Sequence, residues 1–266
     1  MNNYLNKNGL QDNLNLELLH FGYASVNKEW HGQAVRSQTS RLYFIKSGSF
    51  FIIDADGIRT DFNEGGIYLI PSGYSYIYGC ESENEHYFFH IRLYGFDKMD
   101  ILGRFKKSIF CKIKPDFDRL AKYIDFSSAT ASLVIKSEIY RALSEISINY
   151  SGIFNMPIYS KEVGEAISYI SCHLKAHLTV SEIASAINLA NSTLSAKFKR
   201  EVKMSVGEYV DYRVILTAMQ MLISSQKSIS EISCLLGFCD QFYFSRRFKK
   251  RYGICPQEFR KIKNVF

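Results

Sequence analysis

Residues Ser228-Ile-Ser-Glu-Ile232 decide how the C-terminal half of this chain folds, together with Gly237-Phe238 and Phe248-Lys-Lys250 further along. Ser228 stands three positions ahead of Glu231, which is the capping-box signature of a helix start. Gly237 tolerates the positive φ of a tight turn, and a second helical pattern begins after it. The stretch therefore predicts a helix, a tight turn and a second helix with a basic surface.

The same pattern occurs about fifty residues earlier in the chain. Thr179-Val-Ser-Glu-Ile183 supplies the capping box, Asn188 takes the turn position, and Phe198-Lys-Arg200 corresponds to Phe248-Lys-Lys250. A repeated helix, turn and polar-basic helix is the layout of paired helix-turn-helix units. We place the two motifs at about 179–200 and 228–251. They indicate binding to double-stranded DNA more strongly than any other feature of the sequence.

Cap and turn residues predict where the surrounding helices begin and end. An amphipathic helix is expected over Val163–Leu178, and Asn191 or Ser192 should cap the second helix of the first motif. Ser205 should open a helix through Leu222, about 27 Å long, that joins the two motifs. Recognition helices at its two ends would lie roughly one duplex turn, about 34 Å, apart. Asp240 should cap the second helix of the second motif, and Gly253 should end it. Pro256 should stand in the first turn of the final helix.

The net charge is distributed unevenly along the 266 residues. Residues 160–266 contain 16 Lys and Arg against 9 Asp and Glu, which accounts for the whole net charge of +7. A neutral half joined to a basic half suggests a ligand or partner module joined to a module that binds a polyanion. The length is sufficient for two ordinary domains with separate cores.

Residues 41–96 alternate and turn in the manner of an antiparallel β protein. Leu42–Ile45 leads into a turn at Ser47-Gly48, and Phe50–Ile53 leads into a second turn at Asp54–Gly57. Further strands are expected at Gly65–Ile70 and Tyr87–Tyr94. Short strands at this spacing predict a small sandwich or barrel.

The last of these strands has two different faces. Its period of two places Tyr87, Phe89, Ile91 and Leu93 on an apolar face, opposite His86, Phe88, His90 and Arg92. The second face has the mixed polar and aromatic character of a barrel lumen that holds a small ligand.

Helical patterns follow at 116–126 and 130–148. Ile135, Ile139, Leu143 and Ile146 form an apolar stripe on the longer helix. Two partners for this stripe remain open, namely the barrel of the same chain and a second copy in a symmetric dimer. Tyr150–Pro157 then breaks the helix and links the two halves.

The C-terminal half resembles the AraC/XylS-type transcriptional regulators. Gly237–Gly253, with Pro256 and Phe259-Arg260 after it, is similar to the signature of that family. Leu178–Ala184, with Ser192–Ser195 and Phe198-Lys199, is similar to the first motif of the family. The N-terminal half resembles more loosely the cupin-like sensor domain that many members carry. Its best-matching pieces are Gly66–Pro71 and Tyr87–Ile91.

This resemblance implies an α+β fold of two domains. A cupin-like β-barrel or sandwich with flanking helices would occupy 1–150 and serve effector sensing and dimerisation. A linker would follow at 151–160, and an all-α pair of helix-turn-helix subdomains joined by a long helix would fill 161–266.

The implied function is that of a bacterial, cytoplasmic, sequence-specific DNA-binding regulator whose barrel senses a small molecule, such as a sugar. The expected partners are double-stranded promoter DNA, that effector, a second copy bound through helices in 116–148, and RNA polymerase. Two alternatives remain open. One is a metal-dependent cupin enzyme with an accessory DNA-binding domain, and the other is a regulator whose barrel serves only for dimerisation.

The resemblance also assigns base-reading positions to the outward faces of the two recognition helices. They are Ser192, Ser195 and Ala196 in the first motif and Gln241, Phe242, Ser245 and Arg246 in the second. Arg pairs with guanine, Gln with adenine, and Phe contacts a thymine methyl group. We therefore expect the second motif to supply most of the base discrimination. Many members have Arg in place of Ala196 and Gly in place of Lys203, which predicts weaker guanine reading and a different helix end in the first motif.

Two further sets of side chains are predicted to bind a partner. Phosphate contacts, which position a protein on DNA without reading sequence, are expected from Lys197, Lys199, Arg247, Lys249 and Lys250. The effector pocket implied by sugar-responsive relatives falls near Lys46, Tyr78, His86 and Phe88.

No catalytic residue, metal site or cofactor is expected, and so no enzyme. His86 and His90 share a strand face but lack a Gly-x-His-x-His cluster with a distant Glu and His. His173 and His177 stand four apart on a predicted helix, and a third zinc ligand is missing there. We also find no nucleophile with an adjacent base and no glycine-rich phosphate loop.

The cysteines and the N-terminus favour a cytoplasmic location. Cysteines 80, 111, 172, 234, 239 and 255 show no Cys-x-x-Cys spacing, and those in helical segments are interpreted as small core residues with free thiols. The first residues, Met1–Lys7, lack the apolar core of a signal peptide. No apolar stretch approaches the roughly 18 residues that a membrane helix needs, and so no membrane contact is expected.

Overall fold

The computed structural model of the protein describes residues 14–34, 37 and 39–263. The N-terminal stretch in which no signal peptide is expected lies outside these residues. The chain forms two compact units, Met1–Met156 and Pro157–Phe266. The first is an antiparallel β unit with helices and the second is helical, which confirms the predicted α+β fold of two domains.

Two antiparallel sheets form the first unit, and one strand belongs to both. Within the described residues the strands are β1 (Asn15–Val26), β2 (His31–Ala34), β3 (Ser40–Asp54), β4 (Arg59–Asn63), β5 (Ile67–Ile70), β6 (Tyr76–Gly79), β7 (Asn84–Tyr94) and β8 (Ile109–Cys111). The first sheet has the order β1-β7-β3-β5-β8. In the second sheet β3 pairs with both β4 and β6, and β6 pairs with β2.

The shared strand β3 corrects one prediction. The expected turn at Ser47-Gly48 is wrong, because the strand continues through this point and bends there from one sheet into the other. Gly48 has φ 68°, and a Cβ at this position would collide with the carbonyl oxygen of Glu83. Only glycine meets both requirements, so the glycine makes a corner in a strand rather than a loop.

Each face of the first sheet packs against a separate core. The core between the two sheets, called here the lumen, contains Tyr43, Ile45, Phe50, Ile52, Phe62, Tyr68, Ile70, Tyr76 and Cys80. The core on the opposite face contains Leu42 and Phe44 of β3 together with Tyr87, Phe89, Ile91 and Leu93 of β7. The predicted apolar face of β7 is thereby confirmed.

The helices of the first unit cover this second core. They are α1 (Phe117–Tyr123), α2 (Ala129–Asn149) and the single turn α3 (Ser151–Phe154). The stripe Ile135, Ile139, Leu143 and Ile146 on α2 is buried in that core. Of the two partners left open by the sequence, the stripe therefore packs against its own sheet.

Arg104 lies in a 3₁₀ turn at Leu102–Arg104 and holds the end of α3. Its Nη1 donates hydrogen bonds to the carbonyl oxygens of Ile153 at 2.9 Å and Asn155 at 3.0 Å. Both acceptors lie close to the boundary between the two units, so the end of the first unit is fixed.

The second unit consists of helices within the described residues. They are α4 (Lys161–Cys172), α5 (Val180–Ala186), α6 (Asn191–Val202), α7 (Val206–Ser224), α8 (Ile229–Leu235), α9 (Gln241–Tyr252) and α10 (Pro256–Lys263). In the described part of the chain no helix is long and apolar enough to cross a membrane.

Most helix starts in this unit agree with the sequence, and one helix end does not. Capping boxes at Thr179, Ser205 and Ser228 open α5, α7 and α8, which confirms those predictions. Asp240 caps α9 by accepting a hydrogen bond from the Tyr243 amide at 2.7 Å. The predicted helix Val163–Leu178 is too long, because the chain leaves the helix after its C-cap, His173, and the Ala176 amide donates to the Leu236 carbonyl oxygen instead of to α4 itself. The last helical residue of α4 is therefore Cys172.

The start and end of α6 also differ from expectation. Its N-cap is Ala190 rather than Asn191 or Ser192, because the turn before it leaves Ala190 extended and makes Asn191 the first helical residue. Its C-cap, Lys203, adopts φ 65°, close to the φ 79° of Gly253 at the end of α9. The prediction of a different helix end at Lys203 is therefore wrong.

The helical cysteines are not core residues. Cys172 on α4 and Cys234 on α8 are exposed, because the buried faces of these helices carry Ile167 and Ile170 in α4 and Ile232 in α8. Cys80 and Cys111, which belong to the β unit, are the buried ones among the six.

Candidate nucleic-acid interface

The two helix-turn-helix motifs have the same turn. In the first, Asn188 has φ 54° and the Leu189 amide donates to the Ala184 carbonyl oxygen at 2.8 Å. In the second, Gly237 has φ 74° and the Phe238 amide donates to the Ser233 carbonyl oxygen at 3.0 Å. The predicted turn positions are confirmed. Matching turns orient α6 and α9 in the same way relative to the helix before each of them.

The inward faces of α6 and α9 fix both helices to the core. Leu194 and Phe198 are fully buried, as are Phe244 and Phe248 in the second motif. Phe198 contacts the ring of Tyr209 at the start of α7, with ring centroids 5.3 Å apart. The equivalent contact joins Phe248 to Phe259 of α10 at 5.4 Å. Each recognition helix thus packs on the helix that follows it.

The outward face of α6 is short and polar. Ser192, Ser195 and Ala196 are all exposed on this helix. The structure brings these three predicted positions together on one free surface. None of them has a side chain long enough for the bidentate hydrogen bonds that distinguish guanine or adenine in the major groove.

The outward face of α9 carries longer side chains. Gln241, Phe242 and Arg246 are exposed, and the guanidinium of Arg246 lies 6.0 Å from the centre of the Tyr243 ring. Phe242 is 70% exposed, although a phenyl ring gains about 1.5–3 kcal/mol from burial. Ser245 is half-buried, and its Oγ donates to the Gln241 carbonyl oxygen at 2.8 Å. The free face of α9 therefore presents an aromatic ring beside an amide and a guanidinium group.

Three of the predicted phosphate-binding lysines are exposed and unpaired. Lys199 on α6 and Lys249 and Lys250 on α9 are exposed. The ion pairs of the described residues include none of the three. Their charge is therefore available to an external anion.

The other two predicted phosphate contacts belong to ion pairs inside the unit. Nζ of Lys197 lies 2.6 Å from Oε1 of Glu162 on α4, and Arg247 pairs with Asp211 on α7. The Lys197 hydrogen bond lowers the pKa of Glu162, and Asp211 raises the pKa of Arg247. In each motif one cation thus ties the recognition helix to a preceding helix. We therefore withdraw Lys197 and Arg247 from the proposed phosphate contacts.

The lumen of the first unit contains three of the four predicted effector residues. His86 is buried, and Tyr78 and Phe88 pack against the lumen core. Lys46 lies elsewhere, because the two-residue period of β3 puts it on the face opposite Tyr43 and Ile45. Its Nζ pairs with Glu85 at 3.1 Å and lies 3.4 Å from the Tyr23 hydroxyl. The placement of Lys46 in the pocket is therefore wrong.

His86 is held neutral in the lumen. Burial lowers its pKa to about 4. Its Nδ1 lies 2.6 Å from Oδ1 of Asn84, so the neutral ring donates its Nδ1 hydrogen to that amide oxygen. Aromatic rings surround it, with Tyr43 at 5.4 Å, Phe50 at 5.5 Å and Trp30 at 5.6 Å between centroids.

Polar residues that the sequence did not assign to the pocket also line this lumen. Arg41 donates from Nη1 to the Tyr76 hydroxyl at 2.8 Å, and its buried Nε has no hydrogen-bond partner in the described structure. Arg41 and His20 flank His90 across β3, β7 and β1. The alternation Arg41, Tyr43, Ile45 indicated the orientation of Arg41, whereas β1 gave no clear strand signal. Among the described residues, no group of three His, Cys, Asp or Glu side chains could hold a metal ion.

Known proteins are similar in sequence to the second unit and, more weakly, to the whole chain. Residues 183–262 match a family model described as a helix-turn-helix domain. The lactose operon transcription activator of Staphylococcus xylosus is 23% identical over 240 residues, which cover 86% of this chain and 80% of that protein. The arabinose operon regulatory protein of Escherichia coli (strain K12) is 35% identical over 105 residues, which cover 39% of this chain and 36% of that protein.

A solved structure shares the fold of both units. An apo ToxT variant from Vibrio cholerae aligns with a TM-score of 0.53 over 93% of this chain and 96% of that chain, at 16% sequence identity. At this identity the likeness concerns the fold alone. A sheet unit followed by a helical unit therefore occurs in that protein as well.

Proposed function

This chain is an AraC/XylS-type transcriptional regulator, and from that premise we propose that it reads promoter DNA with α6 and α9 and responds to a small molecule in its lumen. One observation carries the proposal for DNA: α9 exposes Gln241, Phe242 and Arg246 on a helix whose opposite face is fully buried. A rigid helix with base-reading side chains on its free face fits a major groove.

We assign different tasks to the two recognition helices. On α9, Arg246 pairs with guanine, Gln241 with adenine and Phe242 with a thymine methyl, while Ser245 adjoins them. The outward side chains of α6 are short, so the backbone can come close to the groove. These residues, Ser192, Ser195 and Ala196, contribute register and shape reading. Lys199, Lys249 and Lys250 bind phosphates. The joining helix α7, about 28 Å long, suits two successive major grooves.

Two substitutions on α9 test this assignment. The preferred sequence is first selected from a pool of random duplexes with the full chain. Arg246→Ala should then lose discrimination at one base pair, by a factor of about 5 to 150, since one bidentate pair contributes about 1–3 kcal/mol. Lys250→Ala should weaken binding to all sequences alike. If Arg246→Ala kept the discrimination of the parent protein at every position, the assignment of base reading to α9 would be wrong.

We further propose that the effector is a sugar or related metabolite bound in the lumen. Tyr78, His86 and Phe88 lie there, as do Arg41 and His90, so the site offers aromatic faces beside hydrogen-bonding groups. Relatives of the chain are named for the lactose and arabinose operons, which supports this choice of ligand. A thermal-shift screen against sugars tests the proposal, with Arg41→Met and His86→Phe expected to abolish the shift. The absence of a shift with any sugar or related metabolite would favour a barrel that serves only for dimerisation.

Dimerisation is proposed through the outer face of α2. The inner stripe of this helix is covered by its own sheet, whereas Leu133, Tyr140 and Ile148 are exposed by 70%, 43% and 72%. These residues recur at near-heptad spacing and would pack against the same face of a second copy. We place the action of the dimer in the cytoplasm, at promoters where RNA polymerase is a further proposed partner.

A further inference from the structure

We propose that residues 173–178, which join α4 to α5, form a second connection between the two helix-turn-helix units and set the spacing at which the chain reads its two DNA half-sites. The inference rests on the proposed function, because it assumes that α6 and α9 both bind DNA. The sequence predicted a single connection, the helix α7. The structure has an additional one, called here the strut and defined as residues 173–178.

Hydrogen bonds attach the strut to the turn of the second motif. The Ala176 amide donates to the Leu236 carbonyl oxygen at 2.8 Å. Nδ1 of His177 lies 3.1 Å from the Gly237 carbonyl oxygen, to which its hydrogen is donated. Both acceptors belong to the turn between α8 and α9. The strut therefore holds the part of the second motif that orients α9.

Close packing accompanies these hydrogen bonds. A Cβ on Gly237 would lie 3.0 Å from Cε1 of His177 and 3.1 Å from Cβ of Lys175. A side chain at this turn would therefore press on the strut, and the positive φ favours glycine as well. In the first motif the same position is an exposed Asn188. The two turns thus differ at this position, and at the second one the strut lies against the backbone.

The strut is anchored at both of its ends. Before it, Oγ of Ser171 at the end of α4 accepts a hydrogen bond at 3.1 Å from Arg213, a buried side chain of α7. After it, the Thr179 amide donates to Oε2 of Glu182 at 2.8 Å in the capping box of α5. A segment fixed at both ends and in the middle resists displacement of one motif relative to the other.

Two connections restrict the motifs more than one helix does. A single helix permits bending and twisting about its axis, whereas a second attachment away from that axis opposes both. On DNA, one inserted base pair moves a half-site by about 3.4 Å and rotates it by about 35°. A protein with two attached motifs cannot follow this rotation without breaking contacts, so it should select one spacing.

The test uses the full chain and the duplex selected for it, together with duplexes that carry one base pair more or one fewer between the half-sites. We expect the parent protein to bind the altered duplexes about tenfold less tightly, comparable to the loss from one mismatched pair. His177→Ala should reduce this discrimination to about threefold or less, while its affinity for a duplex with one half-site stays unchanged.

Two variants make the result specific to the strut. His173→Ala is the matched control, because His173 is also exposed and its Nδ1 contacts only its own helix end at Tyr169. It should discriminate spacing as the parent protein does. His177→Asn retains a donor near the position of Nδ1 and should restore the discrimination lost in His177→Ala.

The outcomes separate this inference from the proposed function. If no duplex is enriched in the selection, the proposed function is wrong and the strut has no task on DNA. If a duplex is enriched and His177→Ala discriminates spacing like the parent protein, the inference is wrong. A His177→Ala protein that loses affinity equally at every spacing would also overturn it, because the side chain would then serve folding alone.

Discussion

Lys203 shows how a single residue can carry strain in the first recognition unit. It ends α6 at φ 65°, where Gly253 ends α9 at φ 79°. A left-handed conformation costs a residue with a Cβ about 1–2 kcal/mol, a cost that glycine avoids. We therefore expect Lys203→Gly to raise the free energy of unfolding of the helical unit by about 1 kcal/mol, as measured by urea denaturation.

A matched variant separates conformation from charge at this position. Lys203→Ala removes the same positive charge and keeps a Cβ, so it should leave the unfolding midpoint near that of the parent protein. An equal gain from both variants would mean that charge repulsion, rather than the backbone, was relieved.

His86 should make the first unit sensitive to acid. Its pKa is about 4 in the folded lumen against an ordinary value of 6.5, so the unfolded chain binds more protons between these values. The stabilisation is therefore complete above pH 6.5 and is lost as the pH falls toward 4. From pH 7 to pH 5 the free energy of unfolding should drop by about 2 kcal/mol on account of His86. The single tryptophan, Trp30, allows this unfolding to be followed by fluorescence.

Substitution of His86 checks the origin of the effect. His86→Gln should lower the stability at pH 7 but flatten its pH dependence. The pH dependence that remains should come from His90, whose pKa is also lowered by burial. His31→Gln, at an exposed position on β2, should retain the full slope. An undiminished slope in His86→Gln would show that another group takes up the proton.

At the scale of the elements, three helices start with the same capping box. Glu182, Glu208 and Glu231 each accept hydrogen bonds from the cap residue three positions earlier, which lowers the pKa of each carboxyl. In the box of α8, the Glu231 amide donates to Oγ of Ser228 at 3.1 Å. We expect Ser228→Ala to destabilise the helical unit by about 1 kcal/mol in urea denaturation.

Another serine on the same helix provides the comparison. Ser230→Ala changes an exposed serine inside α8 that takes no part in the cap, and it should be neutral or slightly stabilising, since Ala favours helices. Equal losses in the two variants would argue against the capping box as the source of the stability.

Each recognition helix forms one ion pair with a preceding helix, and this leads to a prediction about the phosphate contacts of α6. Lys199 is exposed and unpaired among the described residues, whereas Lys197 is paired with Glu162. Each phosphate contact that is removed should reduce the slope of log K against log salt concentration by about 0.9. We expect this reduction for Lys199→Ala and an almost unchanged slope for Lys197→Ala. The reverse result would return Lys197 to the phosphate contacts.

Helix starts were predictable from the sequence because a cap is a local interaction. Ser228 and Glu231 lie within one turn, and their pattern is legible without the rest of the fold. After α4 the Ala176 amide instead bonds to the carbonyl oxygen of Leu236, and the bend of β3 at Gly48 lies against Glu83, far away in sequence. Such contacts join residues that are distant in sequence, and no local pattern shows that they lie close together. For this reason a helix was predicted too long and a strand was divided in two.

On the scale of the whole molecule, the proposed dimer is open to direct measurement. Leu133→Asp places a charge in the exposed apolar face of α2, which should convert a dimer into a monomer in sedimentation equilibrium. Affinity for a duplex with two operator sites should then fall by about a hundredfold or more, because avidity is lost. Ser132→Asp, at the neighbouring exposed position, is the control. A Leu133→Asp protein that stays dimeric would exclude this face.

The two candidate sites were predictable to different degrees. The positions on α6 and α9 followed from a repeat that the sequence displays twice, so inward residues such as Phe198 and Phe248 were identified correctly. The lumen joins strands that are distant in sequence, among them β1, which has no clear alternation of its own. His20 of β1 was therefore missed, and the resemblance to sugar-responsive relatives assigned to the pocket a residue, Lys46, that pairs with Glu85 instead.

The hydrogen bonds of Arg104 have a mechanical consequence for the chain as a whole. On one side they anchor Asn155, and on the other side the Ser160 amide is anchored to Oε2 of Glu201 at 2.8 Å. Only residues 156–159 lie between these anchors, and a fully extended tether from Asn155 to Ser160 reaches roughly 17 Å. The connecting segment between the two units is therefore short, with a reach of about half the length of one duplex turn. In a dimer, two such short connecting segments would limit how far apart two operators can lie before the DNA between them must bend or loop.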